Sequence, residues 1–181
     1  GVVNGKLKRF DEAAGCFRKA IALQPQMVMA HYGLGASCKA QGKLSEAADS
    51  LRQVIHLKPD LADAHFELGG VLYSLGNHNE AKEAFERVLR LKPIAEAHHY
   101  LGNIYSTQGL LYEAIGCFQQ ALKLKPALAD THNELANTFY SLGRLDDAVE
   151  HYHQALKLRP DYIQTYNNLG GTLTVLGRMD E

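Results

Sequence analysis

A charge excess of either sign is what this chain most clearly lacks. Its 181 residues include 19 Lys and Arg and 20 Asp and Glu, which gives a net charge of −1. Proteins that bind nucleic-acid phosphates usually carry a basic excess, so we expect no nucleic-acid partner. Proline is also scarce, at five residues, while hydrophobic residues make up 46% of the chain and charged residues 22%. This composition is typical of an ordered globular protein.

Long hydrophobic runs and paired cysteines are missing as well. No apolar segment approaches the roughly 20 residues of a membrane span, and no signal-peptide pattern opens the sequence. The three cysteines, Cys16, Cys38 and Cys117, show no Cys-x-x-Cys spacing. Free cysteine is usually buried, so we predict three buried thiols. Because structural disulfides are typical of oxidising compartments and no cysteine pairing is indicated here, we predict a cytoplasmic protein, without a membrane span.

Sequence motifs that carry catalysis are absent too. The chain has no Gly-x-Gly-x-x-Gly segment, no phosphate-binding loop, no His-Glu-x-x-His and no Gly-x-Ser-x-Gly. These motifs supply the cofactor-binding turns, metal ligands and nucleophiles of many enzymes. We therefore predict no catalytic residue, no cofactor and no enzymatic activity within these residues.

What the chain does contain is an internal repeat. Its prolines recur at spacings of 34, 34, 33 and 34 residues: Pro25, Pro59, Pro93, Pro126 and Pro160. Leucines recur in the same phase, at Leu34, Leu68, Leu101, Leu135 and Leu169. So do glycines, at Gly42, Gly76, Gly109, Gly143 and Gly177, and large apolar residues, at Phe17, Leu51, Phe85, Phe118 and Tyr152. Such a period indicates stacked supersecondary units.

Each repeat has the pattern of two helices. Apolar residues spaced three and four apart precede each mid-repeat glycine, which predicts an amphipathic helix that ends at a residue such as Gly76. A second helix is predicted from about Asn79 to Leu91, because proline at Pro93 prevents its continuation. We expect the small residues Gly69 and Ala81 to lie where the paired helices approach most closely.

This pattern resembles the tetratricopeptide repeat (TPR) family, with its leucine, glycine, alanine, aromatic and proline positions. The resemblance implies an all-α fold in which antiparallel helix pairs stack into a right-handed TPR superhelix, an α-solenoid. It covers the chain as a single array, 1–181. The complete repeats are 28–61, 62–94, 95–128 and 129–162, and partial repeats lie at 1–27 and 163–181.

Function in this family usually lies on the concave groove lined by the first helix of each repeat. By resemblance, the second, fifth, sixth, ninth, twelfth and thirteenth positions of each repeat face that groove. From those positions we take these candidate peptide-binding residues: Tyr32, Lys39, Asp63, Phe66, Glu67, Tyr73, Glu96, His99, Tyr100, Asn103, Asp130, Asn133, Glu134, Asn137, Tyr140, Asn167 and Asn168.

The chemistry of this set predicts the kind of ligand. Carboxylates outnumber cations, of which Lys39 is the sole example, and asparagines crowd the C-terminal half. Amide side chains can donate to and accept from a peptide backbone, and tyrosines offer rigid contact area. We therefore predict a non-catalytic scaffold that binds an extended, neutral-to-basic peptide segment of a protein partner.

Two alternatives stay open. The asparagine-bearing groove and the segment "YNNLGGTLTVLGRMDE" are similar to the repeat region of O-linked N-acetylglucosamine transferases and to bacterial TPR proteins. That resemblance implies a substrate-recognition region of a larger glycosyltransferase. The other alternative is a self-assembling module, a homo-oligomer formed through exposed repeat ends.

The histidines follow the repeat and do not indicate a metal site. His98 shares its phase with His31, His65 and His132, about one helix diameter apart, which is too far for two of them to bind one zinc. His98 and His99 are consecutive and so point to different faces of their helix. We therefore predict no metal site.

One repeat is a residue short, between Pro93 and Ala95, where other repeats have Asp60 or Asp161. We expect this loss to shorten the turn and to leave both helical registers intact. It also removes a candidate N-cap, which is worth about 1 kcal/mol.

Overall fold

The computed structural model describes residues 2–177, with side chains from residue 8 onward. Residues 1 and 178–181, where the two partial repeats reach the ends of the sequence, lie outside this described part. Within residues 2–177 the chain forms ten α-helices and no strand: α1 Val2–Leu23, α2 Val28–Ala40, α3 Leu44–Leu57, α4 Ala62–Ser74, α5 His78–Leu91, α6 Ala95–Thr107, α7 Leu111–Leu124, α8 Ala129–Ser141, α9 Leu145–Leu158 and α10 Ile163–Val175. The predicted all-α class is confirmed.

Glycine turns join the two helices of each pair. The five mid-repeat glycines, represented by Gly76 at φ 79°, all have φ between 70° and 79°. A residue with a Cβ is strained in this left-handed region, which is why glycine recurs here. After Gly76, the Asn77 N–H donates to the Leu72 carbonyl at 2.9 Å and satisfies the end of α4. The turn is so short that the next helix must run antiparallel to the first.

The helices form two compact units, residues 1–92 and 93–181. Unit 1 contains α1 to α5, and α2 packs on α3 as α4 packs on α5. Unit 2 contains α6 to α10, with α6 on α7 and α8 on α9. The core of unit 2 lies among α7, α8, α9 and α10 and is formed by Ala114, Ile115, Phe118, Leu135, Ala136, Phe139, Ala148, Val149, Tyr152, Leu169 and Leu173.

Close contact between glycine and phenylalanine sets the spacing of the pairs. A Cβ added to Gly69 would lie 2.8 Å from the Phe85 ring, and one added to Gly102 would overlap the Phe118 ring. Both rings are fully buried, as is Ala81. The expected placement of Gly69 in a tight helix contact is therefore confirmed, and the expected contact of Ala81 stays a prediction.

The shortened repeat lacks a hydrogen bond that three other repeats have. The imidazole Nε2 of His31 donates to the Pro25 carbonyl at 2.8 Å, and the same bond recurs from His65 to Pro59 and from His132 to Pro126. His98 follows Pro93 by five residues instead of six, and no such bond joins them in the described part of the chain. The register is kept, since α6 begins at Ala95 in phase with the other first helices.

Two expectations about individual residues are wrong. The N-cap positions of α4 and α10 are Leu61 and Tyr162, and neither helix has a side-chain cap; Asp60 instead accepts a hydrogen bond from Arg87 at 2.6 Å. Cys38 is buried and Cys117 half-buried, but Cys16 is exposed. Since α1 packs mainly on α2, Cys16 lies on an open face.

None of the helices within residues 2–177 is long and apolar enough to cross a membrane.

Candidate functional site

Each unit has a concavity that is lined largely by its first helices and contains candidate residues. The unit 1 concavity has a volume of about 420 Å³ and is lined by Tyr32, Gly35, Ala36, Lys39, Ala40, Leu51 and Glu67. The unit 2 concavity has a volume of about 490 Å³ and is lined by Asn137, Tyr140, Ser141, Tyr152, Gln164, Asn167, Asn168 and Gly171. Both volumes fall within the range of about 300–1,000 Å³ that is usual for ligand sites.

Asn137 is the centre of a hydrogen-bond network in the unit 2 concavity. Its Oδ1 accepts from the Tyr152 hydroxyl at 2.7 Å and from the Asn168 amide at 2.9 Å. Its own amide donates to a Glu134 carboxylate oxygen at 3.2 Å. Burial raises the pKa of Tyr152 to about 12, so its hydroxyl stays protonated and donates at neutral pH. The network fixes the orientation of Asn137 and Asn168.

Tyr152 was not among the candidates, because its repeat phase predicts a packing residue on the second helix. The sequence did contain a signal. At the corresponding phase, Phe85 and Phe118 have no hydroxyl, and the extra oxygen of Tyr152 needs a hydrogen-bond partner when its ring is buried. That partner is the groove-facing Asn137.

Asn133 does not line a groove, contrary to the prediction, because it is fully buried. Its Oδ1 accepts a hydrogen bond from the hydroxyl of Thr165, in the next repeat, at 2.9 Å. His99 makes the equivalent link: its Nδ1 lies 2.9 Å from the hydroxyl of Thr131, which is also one repeat further along. The fifth position of these repeats therefore connects neighbouring repeats through a buried threonine.

His99 is held in its neutral form by this packing. Burial lowers the pKa of its imidazole, although the carboxylates of Glu134, Asp130 and Glu96 oppose the shift. Asn103 donates its amide to His99 Nε2 at 3.1 Å, which leaves the Nδ1–H to donate to Thr131. Since both ring nitrogens are occupied, His99 acts mainly in the structure of unit 2.

Most of the candidate carboxylates are already paired with cations. Glu67 binds Lys39 at 2.7 Å, and Glu96 binds Lys125 at 2.9 Å, which lowers the pKa of Glu96. Hydrogen bonds from Arg159 lower the pKa of Asp130 in the same way. Repeat phase did not reveal Lys125 and Arg159, because these long side chains reach back from the far ends of α7 and α9.

The Asp130–Arg159 pair has two parallel N–H···O bonds, at 2.8 and 2.9 Å. A bidentate pair of this kind is directional and keeps the carboxylate occupied. Among the described side chains, Asp63 and Glu134 are the candidate carboxylates without an ion pair. The excess of free negative charge is therefore smaller than the sequence suggests.

Three of the candidate aromatic side chains are half-buried and pack on neighbouring rings. The Phe66 ring lies 5.8 Å from Phe85, the Tyr73 ring 5.3 Å from His78, and the Tyr100 ring 5.9 Å from His99. Tyr140 differs, because 43% of its surface is exposed and it lines the unit 2 concavity. Tyr140 is therefore an aromatic group that this concavity offers to a ligand.

His132 and His151 form a close pair that the repeat pattern does not predict. His132 Nδ1 lies 3.1 Å from His151 Nδ1, and the rings stack with centroids 5.3 Å apart. Because His132 Nε2 donates to the Pro126 carbonyl, His132 Nδ1 accepts and His151 Nδ1 donates. No group of three or more His, Cys, Asp or Glu in the described part of the chain is arranged to hold a metal ion.

Helix pairs of constant length, glycine turns and repeated glycine–phenylalanine contacts define an α-helical repeat protein. Family models described as TPR repeat or tetratricopeptide repeat match residues 37–76, 102–143 and 136–173, residues 62–94, and residues 1–27. The chain belongs to the tetratricopeptide repeat family. No curated protein sequence matches the chain.

Solved structures show the same fold. A crystal structure of MamA has a TM-score of 0.81 at 23% identity and covers 91% of this chain and 98% of its own. MamA from Desulfovibrio magneticus RS-1, residue 41 to the end, has a TM-score of 0.79 at 22% identity, with 90% and 93% covered. YrrB, described as a TPR protein with an unusual peptide-binding site, has a TM-score of 0.75 at 20% identity, with 92% and 86% covered. At these identities the likeness establishes the fold.

Proposed function

We propose that the protein is a non-catalytic interaction scaffold and that its unit 2 concavity binds an extended peptide segment. The observation that carries this proposal is the lining of that concavity, where amide side chains and tyrosines cluster around the fixed Asn137. The description of YrrB as a peptide-binding TPR protein supports the same class of ligand.

The lining suits a peptide backbone better than a charged side chain. Asn167 and Gln164 are exposed on the first turns of α10. Each amide can donate and accept at once, as a peptide group does, so it can bind a main chain of any sequence. Tyr140 adds a flat apolar surface at low cost in conformational entropy. The ligand is therefore read mainly through its backbone.

Charge adds a modest preference for neutral or basic peptides. Within unit 2, Lys125 and Arg159 neutralise Glu96 and Asp130. Among the described side chains, the Glu134 carboxylate accepts hydrogen bonds from the amides of Asn133 and Asn137 and has no ion pair. An acidic ligand segment would meet the uncompensated Glu134 carboxylate, and a basic segment would be attracted to it. Because the preference depends on one partly exposed carboxylate, it should weaken moderately with added salt.

The test is the affinity of fluorescent extended peptides for the chain and for Gln164→Ala combined with Asn167→Ala. Each lost hydrogen bond costs about 0.5–1.5 kcal/mol, so the double variant should bind roughly 5- to 150-fold more weakly. Gln120→Ala, at an exposed glutamine on α7, is the matched control and should leave affinity unchanged. Equal binding by all three proteins would contradict the proposal.

Self-association is a second candidate, favoured by the apolar surface of α10. Ile163 and Tyr166, which are three residues apart and therefore lie on one side of the helix, are 75% and 53% exposed. A second copy that packs on this face would bury them. Light scattering should then show a mass that rises with concentration, and Ile163→Asp should abolish that rise; a constant monomer mass would exclude this candidate. The glycosyltransferase alternative remains a hypothesis from sequence resemblance.

A further inference from the structure

The two concavities occupy the same position in the repeat but differ in chemistry. In unit 2 the ninth, thirteenth and twenty-fourth positions of the repeat at 129–162 are Asn137, Ser141 and Tyr152. In unit 1 the same positions of the repeat at 28–61 are occupied by Ala36, Ala40 and Leu51. Every polar group of this set is replaced by an aliphatic one. The unit 1 concavity therefore offers methyl groups where the unit 2 concavity offers hydrogen bonds.

The small side chains of Ala36 and Ala40 keep the unit 1 concavity open, and Leu51 makes its base apolar. Ala36 and Ala40 are exposed on α2, and Leu51 closes the base of the concavity at 2% exposure. Leu51 packs directly on Gly35, since a Cβ added there would lie 3.1 Å from its Cγ. The half-buried ring of Tyr32 forms one wall. An apolar ligand group placed here would leave water without stranding a protein polar group.

The charges at this concavity favour an uncharged occupant with a basic neighbour. Lys39 and Glu67 lie at the concavity and bind each other at 2.7 Å, so neither is available to an ionic ligand group. Asp63 is exposed, has no ion pair among the described residues, and acts electrostatically on the Tyr32 hydroxyl. A cation on the ligand next to the concavity would find its counter-charge at Asp63.

We propose that the unit 1 concavity is a side-chain pocket for one bulky, uncharged aliphatic or aromatic residue of a bound peptide, flanked by a lysine or arginine that faces Asp63. This inference rests on the proposed peptide-binding function and assigns it a sequence preference. The unit 2 concavity reads a peptide main chain, whereas the unit 1 pocket selects for a side chain.

The first test uses blocked amino acids and ¹⁵N-labelled chain in nuclear magnetic resonance titrations. N-acetyl-phenylalaninamide and N-acetyl-leucinamide should shift the backbone amides of Tyr32, Ala36 and Ala40, while N-acetyl-asparaginamide should not. Ala36→Leu fills the pocket, so the affinity obtained from the shift titration should fall at least tenfold. Ala22→Leu, at an exposed helical alanine outside the pocket, is the matched control and should leave that affinity unchanged. Equal shifts from all three probes, or full shifts in Ala36→Leu, would overturn the pocket.

The second test separates the pocket from the proposed function. Fluorescent peptides with a central Lys-Phe, Lys-Ala or Gln-Phe pair are titrated into the chain and into its variants Ala36→Leu and Asp63→Asn. The Lys-Phe peptide should bind to the chain about tenfold more tightly than the Lys-Ala peptide, and Ala36→Leu should remove that difference. Asp63→Asn should remove the preference for Lys-Phe over Gln-Phe. Equal binding of the Lys-Phe and Lys-Ala peptides to the chain overturns the proposed pocket without contradicting the scaffold function. Binding of the blocked amino acids without binding of any peptide supports the pocket and contradicts the function.

Discussion

Gly102→Ala tests the packing rule on which the fold depends. Gly102 lies inside α6, where a Cβ would overlap the fully buried ring of Phe118. Alanine is the better helix former by about 0.5–1 kcal/mol, whereas overpacking a rigid core costs about 1–3 kcal/mol. The sum predicts that the variant is neutral or destabilised by up to roughly 2.5 kcal/mol.

Gly116→Ala is the matched control for this substitution. Gly116 lies inside α7 of the same unit, is exposed, and would gain a Cβ with nothing within 4 Å. It receives the same gain in helix propensity without the clash, so it should stabilise by about 0.5–1 kcal/mol. The two variants should therefore differ by about 1–3 kcal/mol, which is the packing term alone.

Urea unfolding followed by circular dichroism measures this difference. Repeat proteins can unfold in parts, so the two variants are compared by their midpoints and slopes in the same buffer. Phe118→Leu should remove the clash, as Leu51 packs on Gly35 in the first complete repeat, and should reduce the cost of Gly102→Ala. A Gly102→Ala protein as stable as Gly116→Ala would refute the packing rule.

The remaining predictions concern the His132–His151 pair and the Thr165–Asn133 bond. Burial lowers the pKa of both imidazoles below the value of about 6.5 expected in the unfolded chain. Since the unfolded state then binds more protons, the free energy of unfolding should fall as pH drops below about 6.5. Thr165→Val should destabilise by about 1–3 kcal/mol, because it leaves the buried Asn133 oxygen without its donor. Thermal melting at several pH values measures both effects.

Controls for these predictions lie on the same helices. His153→Gln, at an exposed position on α9, should leave the pH slope unchanged, whereas His151→Gln should reduce it. Asp147 and Glu150 oppose the shift at His151, but not enough to reverse it. Thr174→Val, at an exposed position on α10, should change stability by less than about 0.5 kcal/mol. A pH slope as steep in His151→Gln as in the parent chain would contradict the assignment.

Repeat phase predicted the fold well because it reports which side of a helix packs. It located the end of each first helix at a positive-φ glycine and the contact of Gly69 with its partner helix. These features depend on local periodicity and on residue size. Local periodicity and residue size are properties of a single repeat, so the sequence of that repeat is enough to predict these features.

The candidate site was harder to predict, because it depends on side chains that cross between repeats. Phase placed Asn133 on the groove side, but its bond to Thr165 holds it beneath the surface. The reach of Arg159 to Asp130 spans 29 residues and decides whether that carboxylate is free. The sequence does contain a signal for the burial of Asn133. A polar residue at the fifth position of a repeat, such as His99, occurs together with a threonine in the next repeat, to which it is hydrogen-bonded.

The most direct measurement of the central claim uses the side-chain amides of the unit 2 concavity. A ¹⁵N-labelled chain is titrated with an extended, neutral peptide while the side-chain NH₂ signals are followed. We predict that the signals of Gln164, Asn167 and Asn168 move together and saturate at one affinity, while those of Gln119 and Gln120 on α7 stay still. Saturable binding that moves the α7 signals and leaves the concavity signals unchanged would contradict peptide binding at this site.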